Sequence, residues 1–240
     1  MKLSYSVKFE DLGLRDYKEV WDYQVAIFKE LTEGKRSGGN LPEPGTGSKP
    51  GTLIFVEHPH VYTLGKSGSE KNLLLDYIQL RSKDAKFYRI DRGGDITYHG
   101  PGQIVGYPIF DLEVIKIGLK EYIFRLEDAV IETIKVYGLT GSRLAGGTGV
   151  WLDPEVRGRA RKICAIGVRA SKFVTMHGFA FNVSTDISYF DNINPCGFTD
   201  KGVTSLEKET GKKPEMTKVK DILRRKLRDQ FDLTWINERD

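Results

Sequence analysis

The amino-acid sequence predicts an α+β fold, with helices packed on a mixed or mostly antiparallel sheet. Helices are few, and the probable strands are clustered along the chain instead of alternating strictly with helices. The 240 residues are 39% hydrophobic and 29% charged, which is the composition of a soluble globular protein with ample length for a core. No internal repeat or Pro/Ser-rich linker divides the chain, so we expect one domain over residues 1–240. The last ~40 residues are a candidate for a small appended lobe.

The first predicted helix spans residues 14–31 and stops at Gly34. Its aromatic and apolar residues recur at helical spacing, which predicts one buried face. Residues 34–51 follow, and nine of these eighteen residues are Gly or Pro. This composition predicts a flexible, exposed loop.

Short apolar runs after this loop predict several strands, and two longer patterns predict helices. The strands are expected over residues 52–56, 87–90, 104–110, 163–170 and 173–183, the last two joined by a tight turn near Ser171. One helix is expected over residues 119–137 and another after Pro214, with Thr217 as its N-cap. The side chains that the last helix should bury are Val219, Ile222, Leu223, Leu227 and Phe231.

Composition and spacing exclude several classes of protein. No apolar run approaches the ~20 residues that a membrane helix needs. The first residues lack the apolar core of a signal peptide, so we expect a cytoplasmic protein. The four histidines show no convincing ligand spacing and no CxxC pair is present, so we expect no metal site.

The net charge of +4 is distributed unevenly along the chain. Residues 201–228 hold ten Lys or Arg against four Asp or Glu, a local charge of +6. Aromatic residues do not alternate with these basic ones, which argues against nucleic acid as the partner. An acidic protein partner explains the basic segment through electrostatic steering, and a solvated helix surface explains it equally well. The oligomeric state is not readable, and a monomer is the default expectation.

Residues 92–103 are the most informative segment, with four glycines and a proline set among an Arg, a Tyr and a His. Glycine loses the most backbone freedom on folding, so this backbone is expected to pass close to something. A ligand is one explanation, and an ordinary cluster of turns is the other. No GxxxxGK[ST] motif is present, which disfavours phosphate binding.

Two cysteines and one lysine are candidates for covalent chemistry. Cys196 lies between a proline and a glycine, where a thiol is accessible and needs a nearby cation to become a thiolate at neutral pH. Cys164 lies in an apolar strand, which favours a packing role. If that strand alternates, Cys164 shares a face with Lys162 and Ile166. Lys162 either exchanges protons from a partly desolvated pocket or ends a basic run and faces water.

Two histidines are each followed by glycine, namely His99 and His177. Either is a candidate base for Cys196. In the alternative interpretation each imidazole hydrogen-bonds loop backbone and supports the wall of a pocket, and the spacing leaves both open. Apolar residues flank the polar ones throughout, which suits an aliphatic acyl group better than a phosphate.

Taken together, the motifs resemble those of the octanoyltransferase family, also called lipoate-protein ligase B. The match covers about residues 53–206, in order and at sensible spacing, and several blocks together are far more specific than any one alone. The matching blocks are VEHPHVYTLG at residues 56–65, RGGDITYHGPGQ at 92–103, GVW at 149–151, KICAIGV at 162–168, TMHGFAFNV at 175–183 and PCG at 195–197.

The resemblance implies a fold similar to that of the biotin and lipoate protein ligases, and the first step of endogenous protein lipoylation. The family transfers an octanoyl group from octanoyl-acyl carrier protein to a lysine of lipoyl domains. These acceptors belong to 2-oxoacid dehydrogenase complexes and include the H protein of the glycine cleavage system. No cofactor is implied, because a thioester donor is already activated.

Carried over position by position, Cys196 matches the family's acyl-accepting cysteine and Lys162 matches its partner lysine. The remaining matched positions line the substrate pocket in the family. They are Arg92, Gly93, Gly94, Asp95, Ile96, Thr97, Tyr98, His99, Ala165, Ile166, Gly167, Gly178, Phe179 and Ala180.

Two features depart from the family pattern. Asp95 stands where Gln is expected, which places a negative charge in the pocket loop, and residues 34–51 look longer than the family needs. Two other functions stay open. An ATP-dependent lipoate or biotin ligase on the same scaffold would not need Cys196, and a non-catalytic acyl-binding protein would need neither Cys196 nor Lys162.

Overall fold

The computed structural model of the protein describes residues 4–33, 35, 49–194 and 201–236. Most of the predicted loop over residues 34–51 lies outside the described residues, and so does the candidate nucleophile Cys196. The elements in chain order are β1 (Tyr5–Leu14), α1 (Tyr17–Glu33), β2 (Gly51–Glu57), β3 (Val61–Leu64), α2 (Tyr77–Ser82), β4 (Lys86–Arg89), β5 (Ile96–His99), β6 (Gln103–Ile109), α3 (Leu119–Lys135), β7 (Ser142–Leu144), β8 (Gly147–Leu152), β9 (Arg161–Ser171), β10 (Val174–Asn182), β11 (Gly202–Val203), α4 (Leu206–Thr210), α5 (Met216–Phe231) and β12 (Leu233–Trp235). Short 3₁₀ helices span Glu70–Asn72 and Ile187–Asn192.

Two sheets carry the fold, and the larger one is mixed, as the sequence predicts. Its strands follow the order β12-β1-β2-β6-β10-β9-β8-β7, with β11 beside β9. Strand β1 runs parallel to both β2 and β12, whereas β2, β6, β10, β9 and β8 pair in antiparallel fashion. The smaller sheet has the order β4-β3-β5.

The larger sheet is buried on both faces. In β2, Leu53 and Phe55 belong to the apolar cluster under α3 and α5, whereas Ile54 and Val56 belong to the cluster under α1. Alternate side chains of a strand point to opposite faces, so a continuous apolar run is what a doubly covered strand requires. A third cluster, which includes Tyr98, joins the smaller sheet to α2 and to the 3₁₀ helix Ile187–Asn192.

Helix α1 begins later than the sequence predicts. Leu14 is the last residue of β1, and Asp16 accepts a hydrogen bond from the backbone nitrogen of Lys18 at 2.8 Å, which caps the start of the helix. The predicted start at residue 14 is therefore wrong. The strand before the helix carries a local signal only in its first half, where Tyr5, Val7 and Phe9 alternate with polar residues; the alternation ends at Asp11.

Helix α5 buries all five side chains that its apolar spacing predicts, and none of them is more than 6% exposed. Thr217 does not cap this helix: the N-cap is Glu215, and its side chain makes no capping hydrogen bond. Helix α5 packs against α3 in the main core, and β12 pairs with β1. The C-terminal residues are thus part of the main body, and the prediction of a small appended lobe is wrong.

Candidate active site

A cavity of about 970 Å³ lies over strands β9 and β10, beneath the glycine-rich segment that joins β4 to β5. The 3₁₀ helix Ile187–Asn192 and the residues after it complete the wall. Lys162 lines this cavity, together with every predicted substrate-lining residue except Tyr98. The Tyr98 side chain lies elsewhere: its hydroxyl is 2.6 Å from Nδ1 of His60, and its ring stacks on Tyr189.

Small residues form the cavity floor where β9 meets β10. The strand register sets Ala165 opposite Ala180 and Gly167 opposite Gly178. None of these four cavity-lining residues has a side chain larger than a methyl group. The floor is therefore smooth enough to take a narrow apolar chain lying along the strands.

The glycine-rich segment passes close to strand β9. The Gly93 nitrogen donates a hydrogen bond to the Val168 carbonyl at 2.9 Å, and a Cβ on Gly167 would lie 2.9 Å from the Gly93 carbonyl oxygen. Gly94 has a positive φ of 87°, which favours glycine. These glycines therefore allow close contact between the backbone of the glycine-rich segment and that of strand β9. The glycine-rich segment also forms one wall of the cavity.

Arg92 is buried beneath this segment and is 7% exposed. Its Nη2 donates to the carbonyl of Thr63 at 2.7 Å and to the Thr63 hydroxyl at 3.0 Å. The guanidinium thus ties the glycine-rich segment to strand β3. Such charge-assisted hydrogen bonds are stronger than neutral ones, so Arg92 holds the cavity wall in place.

Asp95 lines the cavity and is held by its neighbours. Its Oδ2 accepts a hydrogen bond from Nδ2 of Asn72 at 2.6 Å, and its Oδ1 accepts one from the backbone nitrogen of Ile96. The departure from the family pattern at this position thus links the pocket segment to the 3₁₀ helix Glu70–Asn72.

Lys162 lies in the cavity wall beside Trp151, with its Nζ 4.6 Å from the centre of the indole ring. This distance is that of a cation–π contact. The side chain is half-buried. The preceding residue, Arg161, pairs with the carboxylates of Glu209 and Asp153. Of these two neighbouring basic residues, Arg161 therefore contacts carboxylates and Lys162 lines the cavity.

A shift in strand register separates Lys162 from Cys164. Cys164 is opposite Val150, whereas Lys162 is opposite Trp151, so one extra residue of β9 is inserted at this point. Consecutive residues of β8 point to opposite faces, and the bulge therefore turns Lys162 and Cys164 to opposite faces of the sheet. The expectation that they share a face is wrong.

Cys164 is fully buried among apolar residues of the main core, which confirms its packing role. Burial raises the pKa of its thiol, and the positive charge of nearby Lys162 only partly opposes this shift. A thiol in this state is a poor nucleophile at neutral pH.

His99 lines the cavity wall but is almost completely enclosed. Its Nδ1 lies 2.8 Å from Oε1 of Gln103, so this nitrogen carries the proton and donates it. Its Nε2 lies 3.4 Å from the Thr63 hydroxyl. Burial, assisted by the neighbouring His58, lowers the pKa of His99 to about 3, which keeps the ring neutral at pH 7.

His177 is bound to Asp91, with its Nε2 2.9 Å from a carboxylate oxygen. Burial lowers the pKa of His177, although the Asp91 carboxylate opposes the shift. The residue pairs with Val168, six residues along β9 from Lys162, which is roughly 20 Å at the rise of a strand. His177 thus lies far from Lys162, whereas its predicted role as a base for Cys196 concerns a residue outside the described ranges. Within those ranges, the rings of His99 and His177 make no hydrogen bond to loop backbone.

The described residues on either side of Cys196 both belong to the cavity wall. They are Asn194, two residues before the cysteine, and Lys201, five residues after it. The Asn194 nitrogen donates to the carbonyl of Asn72 at 2.8 Å, which holds this part of the wall against the 3₁₀ helix Glu70–Asn72.

Sequence reasoning did not select several residues that line the cavity. Trp151 and Asn182 stand inside motifs that match the family, so their position in those motifs was the available signal. The segment after β10 carried no such signal, because its side chains reach the cavity through the path of the chain. The lining residues from this segment are Ile187, Ser188, Phe190, Asp191, Ile193 and Asn194.

The described ranges hold no cluster of three or more side chains suited to binding a metal ion. None of the helices in these ranges combines the length and apolar character needed to cross a bilayer.

Residues 16–228 match the family model described as the lipoyl protein ligase A/B catalytic domain. The chain is 54% identical over 219 residues to an octanoyltransferase of Parabacteroides distasonis, a match that covers 91% of this chain and 96% of that protein. It is 50% identical over 228 residues to an octanoyltransferase of Cytophaga hutchinsonii, covering 95% and 93% of the two chains. The chain belongs to the octanoyltransferase family. Octanoyltransferases are acyltransferases, so the resemblance drawn from the motifs is confirmed and the chain is an enzyme.

Solved structures support the predicted fold of this octanoyltransferase-family chain. A bipartite lipoate protein ligase of Thermoplasma acidophilum superposes with a TM-score of 0.70 at 13% identity, covering 98% of this chain and 87% of the ligase chain. A lipoate-protein ligase A bound with ATP superposes with a TM-score of 0.67 at 14% identity, covering 98% and 88%. At these identities the likeness concerns the fold alone.

Proposed function

We propose that the protein transfers an octanoyl group from octanoyl-acyl carrier protein to a specific lysine of lipoyl domains through a thioester on Cys196. The observation that supports this most directly is the place of Lys162. Its amine lies in the wall of a deep cavity, and the chain that leads to Cys196 forms part of the same wall at Asn194. Cys196 follows Asn194 by two residues in the sequence and itself lies outside the described residues.

The cavity lining suits an aliphatic acyl chain. The small side chains at Ala165 and Ala180 leave room above the floor, and apolar side chains stand around it. The apolar lining residues that we assign to the octanoyl chain are Ile96, Val105 and Ile193, and Val105 lies opposite Ala180 in the neighbouring strand β6. Burial of apolar surface stabilises such a chain by about 0.8 kcal/mol for each buried methylene group.

In the first step, the Cys196 thiolate attacks the carbonyl carbon of the donor thioester. A carbon–sulfur bond forms to Cys196, and the carbon–sulfur bond to the carrier breaks. The carrier thiol takes up a proton from the Lys162 ammonium, so that Lys162 is left as a neutral amine.

In the second step, the amine of the acceptor lysine attacks the Cys196 thioester. An amide bond forms, the bond to Cys196 breaks, and the sulfur leaves as a thiolate. The proton released by the attacking amine returns to Lys162, which restores the starting state. No nucleotide is consumed, because the thioester supplies an already activated acyl group.

Intact-protein mass spectrometry tests this proposal. The wild-type protein is incubated with octanoyl-acyl carrier protein without nucleotide, and peptide mapping locates any added octanoyl group. We expect one octanoyl group on Cys196, its loss on addition of a lipoyl domain, and no adduct in Cys196→Ala. Strict dependence on ATP would instead support a ligase, and tight binding without any adduct would support a passive acyl-binding protein.

A cytoplasmic location and a monomeric state accompany this proposal. Light scattering coupled to size-exclusion chromatography tests the monomer, for which we expect the 27.2 kDa mass of a single chain.

A further inference from the structure

Three exposed apolar side chains lie within five consecutive positions at the start of helix α2 and just before it. Leu74 is 58% exposed, Tyr77 is 73% exposed and Ile78 is 77% exposed. They are the three most exposed large apolar side chains of the part of the chain that the structure describes. Scattered exposed apolar residues are ordinary, but three within five positions form a patch, which marks an interaction site. We name these three side chains the α2 patch.

Exposed cations surround the α2 patch. Lys71 precedes it, the Arg81 guanidinium lies 6.0 Å from the centre of the Tyr77 ring, and Lys83 follows at the end of the helix. Within the described ranges none of these three cations has a carboxylate at salt-bridge distance. Two of the nearby carboxylates are engaged elsewhere, because Asp76 caps α2 and Glu70 pairs with Arg89. Lys83 also lies 5.6 Å from the centre of the Tyr189 ring, and its charge helps to lower the pKa of Asp186.

The patch is attached to the wall of the cavity without being part of it. Leu74 donates its backbone hydrogen to the carbonyl of Asn192 at 2.9 Å, and Leu73 forms a β-bridge with Ile193. Ile193 lines the cavity, whereas no member of the α2 patch does. The segment that carries the patch is therefore paired with the segment that runs toward Cys196.

We infer that the α2 patch is the docking surface for the acidic protein domain that carries the acyl donor, an inference that rests on the proposed function. An apolar centre that includes a tyrosine, with exposed cations close to it in the chain, complements an acidic partner with an apolar contact face. A standard interface covers about 800 Å² of each partner, so the three side chains are its centre and not its whole extent.

The position of the patch favours the donor over the acceptor. An acceptor lysine is carried on a short side chain, so its domain must dock against the mouth of the cavity. A donor thioester is carried on a long prosthetic arm, which bridges the separation between a docking surface and the reactive thiol. The α2 patch adjoins the cavity wall but lies outside it, so it suits a donor on a long arm better than an acceptor lysine.

Steady-state kinetics of a double variant, Tyr77→Ser with Ile78→Ser, tests the inference. We expect the KM for octanoyl-acyl carrier protein to rise roughly tenfold, the change that follows from losing about 1.4 kcal/mol of binding. The KM for the lipoyl-domain acceptor and the rate with octanoyl-pantetheine, a donor without a protein domain, should stay unchanged. Arg81→Glu with Lys83→Glu should raise the same KM and reduce its dependence on salt.

Val136→Ser is the matched control, because Val136 is 57% exposed at the end of α3 and lies outside the cavity. An unchanged KM for the carrier, an equal loss with octanoyl-pantetheine, or a change in the acceptor KM alone would overturn the inference. Failure of the proposed function looks different: the wild-type protein would then not react with octanoyl-acyl carrier protein at all without nucleotide. Circular dichroism and melting temperature verify that each variant folds.

Discussion

Replacement of Cys164 by alanine separates the two thiols of the chain. Cys164 is fully buried beside Val150 and Phe181 in the main core, and burial raises the pKa of its thiol. Its Sγ lies 3.6 Å from the carbonyl oxygen of Ala165, which is at most a weak hydrogen bond. The side chain therefore contributes packing and no accessible thiolate. We expect Cys164→Ala to lower stability and to leave acyl transfer intact.

The size of the effect follows from the burial. Truncation to alanine removes one buried sulfur atom, comparable to a large methylene group, and leaves a small void. The lost transfer free energy and the void together cost about 1–2 kcal/mol in the free energy of unfolding. For a chain of 240 residues, this corresponds to a melting temperature lower by roughly 2–8 °C.

Differential scanning calorimetry measures the loss of stability. Initial rates of octanoyl transfer, recorded below the melting transition, measure whether acyl transfer is intact. We expect kcat within about twofold of wild type, since the packing change lies on the face of the sheet opposite Lys162 and does not alter transition-state contacts. Cys196→Ala serves as the opposite case, with transfer lost and the fold retained. Loss of the acyl adduct in a folded Cys164→Ala protein would refute the assignment of the nucleophile.

Three further predictions concern proton transfer, backbone packing and pH. Lys162→Ala should reduce kcat/KM by about 10²–10⁴-fold in initial-rate assays, because the thiolate and the leaving sulfur lose their proton partner; a smaller effect would assign the proton to another group. Gly178→Ala should destabilise the fold by about 1–3 kcal/mol in urea denaturation, because its Cβ would lie 2.1 Å from the Gly106 carbonyl oxygen; unchanged stability would contradict this. The lowered pKa of His99, about 3 in the folded protein against an ordinary 6.5, means that the unfolded chain binds the extra proton first. Stability should therefore fall as pH decreases from about 6.5 toward 3, and His99→Gln should make this slope shallower in urea midpoints measured against pH.

The elements that could be predicted are those whose pattern depends on one chain segment alone. Helix α5 shows this, since its apolar residues recur at helical spacing and all of them are buried. Strand β2 is an uninterrupted apolar run, which a strand covered on both faces demands. Strand β1 shows the opposite case, because its pairing with both β2 and β12 depends on partners far away in the chain.

In the candidate site too, features that depend on a local motif could be predicted, and features that depend on remote residues could not. The motifs around Lys162 and the glycine-rich segment are local in sequence, and both line the cavity. Tyr98 belongs to the same motif, but its ring packs against Tyr189 and His60, which also stack on each other. Those two residues are remote from it in sequence, so the direction of the Tyr98 side chain was not readable from the motif.

By itself, the sequence determined the class of fold and the family, and it selected the residues proposed to carry the chemistry, because these depend on composition, periodicity and motifs along the chain. Only the tertiary structure decided which side chains face one another. The bulge opposite Val150 and Trp151 is the clearest example, since one inserted residue turns Lys162 to the cavity and leaves Cys164 in the core. A strand sequence with period two does not reveal where that period breaks, because the break is set by pairing with a neighbouring strand.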